Sequence, residues 1–560
     1  MKMKPIVIVL FSLLFLIIPW TDTSPDLKAD ESDYYLKIQK GLKYFQKVYD
    51  RVQAHYVEEI DPYEFVKAGI DGMLGALDPY TVFIDQEADA QLRIITTGKY
   101  GGVGMEIGTR NNQITVVSPM DNSPAQKSGI QAGDIIIAID GLDVGSYTLD
   151  KISQKLRGPV GTPVEITVKR PGYTGEIIMN VMRSEIVIED VNYAAYVAPG
   201  VAYVRLTGFT DKAGVEMRKA IDDLSQNGTP QVFILDLRGN SGGLLEAAVE
   251  VLSAFLPKGT VVVTTKGFRD ESQSFRTEQD PLLPATPMAV LVDQGSASAS
   301  EIVAGALQDL DRAVVVGDKT FGKGLVQKVY NIDPNTNSKI KVTTAKYYTP
   351  SGRCVQKQDY ASNNALVYSN GADSVQSEDP SAVFLTSNKR EVFERGGVTP
   401  DRLAKRDEFH LVVTELWRQS LFFNFAVVYH QNNPTRQGEL EMTDAIFNEF
   451  MGFVKDNDFQ YEIEGENELK SFLATVKKST LPDHIVSAGQ SLLDSLDGLK
   501  TDDLVAHRQE INRLLLPELA EKYYGNREKI RYGLINDEQL QATLDLMSDQ
   551  QTYKKILAIK

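Results

Sequence analysis

The sequence predicts a multidomain α+β protein in which an α/β core carries an inserted β-rich module and has helices on either side of it. Three observations predict this. Between about 184 and 402, apolar strand-like runs (VAYVRL, VFILDLRG, MAVLVDQ, RAVVVGD, KVTTAKYYT) alternate with helical stretches, the pattern of a largely buried sheet. Between 98 and 183 the texture changes to short β runs (GGVGMEI, QITVVSPM, DIIIAIDG, PVEITVKR) separated by glycine and proline turns, with one helical piece, TLDKISQKL. The stretches 21–97 and 403–560 carry helical periodicity, and a chain of 560 residues exceeds what one core organises.

The first twenty residues, MKMKPIVIVLFSLLFLIIPW, place Lys2 and Lys4 before thirteen almost wholly apolar residues, Ile6 to Ile18, bounded by Pro5 and Pro19. That is the layout of an export signal, and the run is short against the roughly 20 residues of a membrane span. No A-x-A cleavage site follows, so membrane association through residues 5–20 stays open beside a cleaved signal. The single cysteine, Cys354, excludes an intrachain disulfide, and with none after the apolar run a lipoprotein anchor is excluded too. The expected setting is a bacterial periplasm, with the body soluble or tethered to the inner membrane. A formal charge of −17, with no basic stripe to offset 76 acidic residues, argues against nucleic acid as a partner.

In 21–97, Leu42, Phe45, Tyr49, Val52 and Tyr56 recur at helical spacing, and a second helix is expected over Pro62–Leu77. This apolar face either packs within the monomer or forms a homodimer contact, for which the C-terminal helices are the alternative. In the tail, Ile446, Phe447, Phe450 and Val454 share one helical face. The Ser-, Asn-, Asp- and Gln-rich stretch 356–385 reads as a surface insertion.

The chemistry-bearing stretch is QGSASASEI, residues 294–302, where a strand hands over to a helix. A helix start presents free N–H groups and positive partial charge, which suit a developing oxyanion at Ser298. The competing reading is a helix cap, since Ser298 with Glu301 matches the capping-box pattern. The next strand and loop, RAVVVGDKTFGKGLVQ, return a lysine to the same sheet edge, and a lysine held neutral by burial can act as a base. No histidine lies between 56 and 409, which excludes a Ser-His-Asp arrangement built within the core, and no H-E-x-x-H motif supports a zinc hydrolase.

GSASASEIVAGALQD followed by TFGKGLVQ, together with LDPYTVFI, GGVGMEI with SPAQKSGIQAGDIIIAIDG, LDLRGNSGG, YYTPSGRCVQK and GGVTPD, resembles the carboxy-terminal processing proteases, also called tail-specific proteases. These are serine peptidases with a Ser-Lys dyad and a PDZ domain. The resemblance spans residues 40–402 and leaves the helical tail outside it. It implies a PDZ domain of the circularly permuted bacterial form over 98–183 and a peptidase core over 184–402; with the residue patterns on either side the expected parts are completed by a signal or anchor over 1–20, a helical region over 21–97 and a helical C-terminal domain over 403–560.

By resemblance, Ser298 is the nucleophile, Lys323 the general base and Gln327 the group that orients the lysine. Lys319 is the rival base, disfavoured because Lys323 is flanked by glycines while Lys319 follows Asp318 and reads as its solvated partner. The turn in LDLRGNSGG supplies the Gly242 or Gly243 N–H which, with that of Ala299, makes an oxyanion hole. In the PDZ segment, Gly101, Gly102, Val103, Gly104 and Met105 hold a terminal carboxylate, with the substrate tail added as a strand beside the TLDKISQKL helix. Leu149 and Ile152 favour an apolar last residue, and Arg157 either couples the PDZ domain to the active site or is a solvated helix-end residue. No metal or cofactor is called for, and the expected partners are proteins with free, apolar C-termini. Two other readings stand beside this one: a catalytically silent PDZ scaffold or holdase, and a cysteine peptidase using Cys354.

Overall fold

The computed structural model describes residues 31–268, 272–333, 335–358, 360, 382–394, 396–406, 408–436, 438–476 and 483–559. The expected signal or anchor over 1–20 and most of the expected insertion over 356–385 lie outside them. Among the described residues no helix is long and apolar enough to cross a membrane.

The chain divides into two compact units, residues 1–73 and 74–560. In the first, helix Glu31–His55 is followed by helix Pro62–Gly75, which Asp61 caps by accepting the Tyr63 and Glu64 N–H groups. The apolar face read from the sequence is partly used here: Tyr49 stacks on Phe65 with ring centres 5.8 Å apart. Leu42, Phe45 and Tyr56 remain exposed.

The second unit is built around a six-stranded sheet in the order Val191–Ala198, Val201–Leu206, Val232–Asp236, Met288–Val292, Val314–Gly317, Arg402–Leu403. The first pair is antiparallel and the rest parallel. Its inner strands are apolar on both faces because both are covered. Helices Ala213–Ser225, Leu245–Leu252 and Ala299–Asp309 bury one face, with Val204, Leu235, Val290 and Val315 in that core. The other face, with Tyr203, Ile234, Leu291 and Val316, packs against Leu540, Leu546, Met547, Tyr553 and Leu557. Helices Glu538–Ser548 and Gln550–Ile556 therefore belong by packing to the core sheet, although they lie within the stretch, 403–560, read as a separate helical domain.

A second, five-stranded sheet joins Val82–Ile84, Ser338–Tyr348, Val261–Lys266, Gln273–Arg276 and Leu325–Asp333. It carries the lysine loop past the serine turn. The PDZ segment is a six-stranded antiparallel sheet from Met105 to Met182 with helix Leu149–Leu156. It enters and leaves the core through a two-stranded ribbon, Lys99–Gly102 paired with Ser184–Val187.

The tail from Leu411 to Ile535 is helical, and its core includes the predicted face Ile446, Phe447, Phe450 and Val454. The PDZ domain docks on it. Val117 packs with Phe423 and Val427, and the Arg110 guanidinium lies 5.1 Å from the centre of the Phe423 ring.

Candidate active site

Three serines line up in QGSASASEI, and their environments separate them. Ser296 is buried and donates its hydroxyl to the Leu237 carbonyl at 2.8 Å. Ser300 is likewise buried and donates to the Asn240 carbonyl at 2.8 Å. Both pin the LDLRGN turn against the serine turn. Ser298 is the partly exposed one, and its backbone sits at φ 55°, ψ −113°. Positive φ in a residue with a side chain costs of order 1–3 kcal/mol and persists only where the surroundings over-determine it.

What over-determines it is Glu301. Its carboxylate accepts the Ser298 N–H at 2.9 Å, the half of a capping box that the sequence predicts. It also accepts the Thr320 hydroxyl at 2.6 Å, the Gly322 N–H at 2.7 Å and the Lys323 N–H at 2.8 Å. The residue is fully buried, and burial pushes its carboxyl up against the pull of these four donors. One side chain thus ties the serine turn to the lysine loop. Tyr347 reinforces the tie, with its buried hydroxyl 2.6 Å from the Lys323 carbonyl and 3.1 Å from that of Ser298.

Lys323 is half-buried, and its ammonium lies 4.6 Å from the centre of the Tyr80 ring. Desolvation, and after it the charge of Lys341, hold its pKa below the ordinary lysine value against the opposing pull of Glu301 and Asp78. Tyr80 is set in place by Asp78, which accepts the Tyr80 and Thr81 N–H groups and the Thr81 hydroxyl. Gln327 faces the Thr343 hydroxyl at 3.4 Å. Among the described residues no hydrogen bond joins Ser298, Lys323 and Gln327. Lys319 is exposed, and among the described residues no ion pair links it to Asp318, the partner expected from the sequence.

The glycine turn meets the serine closely. A Cβ on Gly242, whose φ is +99°, would stand 2.7 Å from the Ala297 carbonyl oxygen, 2.8 Å from Ser298 Cβ and 2.9 Å from the Ala299 nitrogen. The Gly242 N–H itself is engaged, donating to Asn240 Oδ1 at 2.9 Å. Among the described residues neither the Gly243 nor the Ala299 N–H has a partner, so those two amides remain as candidate oxyanion donors.

In the PDZ domain, Gly101 and Gly102 belong to the ribbon strand rather than to an open loop, and the Gly101 carbonyl accepts the Gly158 N–H at 3.0 Å. The Val103 and Gly104 carbonyls are taken by Ala125 and Met120, while the Val103 and Gly104 N–H groups have no partner among the described residues. Met105 opens the next strand. Leu149 is half-buried, whereas Ile152 is completely buried in the PDZ core and presents no surface to a ligand. Arg157 reaches out of the domain, donating to Gln91 at 2.7 Å with its guanidinium 5.3 Å from the Tyr100 ring centre. Cys354 is completely buried, which removes it as a nucleophile toward a polymer.

A cleft of about 720 Å³ adjoins the lysine loop, lined in part by Tyr80, Lys319, Phe321, Gln356 and Tyr360. Tyr80 and Glu301 were missed by sequence reasoning as parts of the site. Both fall within motifs quoted from the sequence, so the signal was present, but the contacts that give them their roles are not local.

The family model for peptidase family S41 matches residues 200–363, and a PDZ domain model matches 115–170. A model described as the C-terminal helical domain of a probable PDZ-protease matches 412–547, and one for the N-terminal domain of the activating protease CtpB matches 14–88. The chain is 40% identical over 320 residues to the carboxy-terminal-processing protease of Bartonella bacilliformis, covering 57% of this chain and 73% of that one. With carboxy-terminal processing protease CtpB of Bacillus subtilis it shares 33% identity over 323 residues, covering 57% and 66%. A solved structure of the photosystem II D1 C-terminal processing protease is similar at 30% identity with a TM-score of 0.33, over 56% of this chain and 89% of that one. The protein is a serine-type peptidase with a PDZ domain. It belongs to the carboxy-terminal processing protease family.

Proposed function

We propose that the protein is an exported endopeptidase that captures the C-terminal tails of substrate proteins through its PDZ domain and cleaves them with a Ser298–Lys323 dyad. The observation that carries this reading is the Glu301 clamp. It holds Ser298 at positive φ against a glycine turn and brings the Lys323 backbone to the same carboxylate.

The reaction follows as acyl transfer. Neutral Lys323 takes the Ser298 proton, and the alkoxide attacks the scissile carbonyl. The resulting oxyanion is met by the Gly243 and Ala299 amides. Lys323 then gives its proton to the departing amine and, neutral again, activates the water that releases the acyl group from Ser298. Gln327, an uncharged partner, orients the amine without favouring its ammonium form.

Recognition of the tail falls to the Val103 and Gly104 amides, which bind the terminal carboxylate, with Leu149 beside an apolar last side chain. Export rests on the residue pattern of 1–20. A homodimer contact is assigned to the exposed apolar residues of helix Glu31–His55.

The test uses an unstructured protein with a free apolar C-terminus. The parent should cleave it, the Ser298→Ala form should not, and amidating the substrate's last carboxylate should slow the parent. Parent-rate cleavage by Ser298→Ala overturns the nucleophile; equal rates for acid and amide remove the PDZ domain from recognition.

A further inference from the structure

We propose that His410, His507 and Asp503 form a site for a divalent transition metal, zinc by the chemistry of its donors, that staples the helical C-terminal region together and shares no residue with the peptidase site. One ligand atom from each of the three lies within 4.8 Å of the other two. The residues come from different places in the chain. His410 caps helix Leu411–Arg418, where the chain has just left the core sheet at Arg402–Leu403. Asp503 lies in the last turn of helix Asp483–Ala506, and His507 caps the next helix, Arg508–Tyr524.

The surroundings are those of a prepared donor set. The His507 ring nitrogen Nδ1 is 2.7 Å from Glu510 Oε1, which fixes the proton on Nδ1 and leaves the Nε2 lone pair free. A carboxylate behind a histidine in this way is the usual support of a metal-bound imidazole. The same Glu510 accepts the His410 backbone N–H through Oε2 at 2.8 Å, so one carboxylate sets both histidines. Asp503 is oriented by the Tyr461 hydroxyl, which donates to Oδ2 at 2.7 Å and leaves Oδ1 to ligate. The two imidazole rings are nearly parallel, 6° between planes, with centres 3.8 Å apart. The Val412 N–H faces His410 Nδ1 at 3.4 Å, long for a hydrogen bond and readily given up.

Zinc bonds of about 2.0–2.1 Å in a tetrahedron put donors about 3.3 Å apart, and an imidazole lone pair lies in its ring plane, so closing the site asks the two stacked rings to rotate out of parallel as well as to draw together. Two imidazoles and one carboxylate with a fourth, water-filled position suit zinc or cobalt and not the all-oxygen preference of calcium or magnesium. The three helix ends share one apolar core, which includes Val412, Val413, Ile511 and Leu515, so an ion there would hold the entrance of the region to the bend between two of its helices.

The experiment takes the full chain, stripped with a chelator, and titrates it with zinc by calorimetry and with cobalt(II) by visible absorption. The result expected is one ion per chain, a tetrahedral cobalt spectrum and a higher thermal midpoint with zinc. The same titration of His507→Gln or Asp503→Asn should show at least tenfold weaker binding, and Glu510→Gln about tenfold weaker binding. Calcium and magnesium should not compete. No zinc uptake, an octahedral cobalt spectrum, or uptake unchanged in a His410→Gln/His507→Gln double variant overturns the site. Should a variant fail to fold, the cobalt spectrum of the parent decides.

Discussion

Replacing Glu301 by Gln tests whether the clamp aligns the two halves of the site. The glutamine has nearly the same shape, but one of its two acceptors becomes an NH2. Its best orientation keeps the amide oxygen on the Ser298 and Lys323 N–H groups and turns the NH2 toward the Thr320 hydroxyl, which can rotate. The Gly322 N–H cannot, and it loses its acceptor. A buried donor left without a partner costs about 1–3 kcal/mol, and bonds to a neutral acceptor are each weaker than bonds to a carboxylate by about 1 kcal/mol. Against this, a buried charge whose carboxyl burial already pushes up is removed, so global stability should change by no more than about 1 kcal/mol. The loss should therefore appear in alignment. About 2–3 kcal/mol off transition-state stabilisation is a fall of roughly 30- to 150-fold in kcat/KM, carried by kcat. The assay is steady-state cleavage of a tailed peptide beside thermal unfolding of both forms. A Glu301→Gln protein with kcat within about threefold of the parent and an unchanged midpoint would refute the clamp.

Gly242→Ala should abolish cleavage, because the new Cβ would strike backbone atoms of the serine turn at 2.7 and 2.9 Å and φ is +99°; near-parent turnover would mean that the turn does not abut the nucleophile. Lys323→Met should unfold at the same temperature as the parent or higher. Burial holds the folded pKa below the unfolded value of about 10.4, so at neutral pH the unfolded chain binds that proton more tightly and the charge opposes folding. That cost fades as pH rises through the folded value toward 10.4, and a methionine form less stable than the parent at pH 7 would contradict the sign. Gly133→Ala places a Cβ 2.7 Å from Val427 at φ +89°, so it should loosen the PDZ domain from the helical tail, seen as faster limited proteolysis between the two; unchanged protection would show that this contact does not hold them.

Strand and helix periods exposed most of this architecture, because buried parallel strands read as continuous apolar runs and the serine turn lies where one such run meets a helix. What periodicity does not carry is the partner of a buried face. The helices Glu538–Ser548 and Gln550–Ile556 are legible as amphipathic, yet that they cover the second face of the core sheet depends on strands more than two hundred residues earlier. Ile152 illustrates the same gap, since its helical spacing marks it as inward-facing without saying whether inward is a groove or a core. Glu301 was readable as half of a capping box, a local pattern, while its three other donors arrive from Thr320, Gly322 and Lys323. Tyr80, under the Lys323 ammonium, comes from the LDPYT motif, which precedes the PDZ segment and lies more than two hundred residues before the lysine. The Gly242 N–H is engaged by the Asn240 side chain two residues before it, a local contact that composition alone does not orient.

If Lys323, made less basic by its surroundings, takes the proton from Ser298, the dependence of kcat/KM on pH reports that ionisation. The rate should rise between about pH 6 and pH 9 along a single ionisation, because a base must be neutral and the ordinary lysine value of about 10.4 is lowered here chiefly by burial. With Gln327→Glu the same ionisation should move to higher pH, since a carboxylate favours the ammonium form. A profile flat from pH 6 to 9 in both proteins would contradict Lys323 as the base.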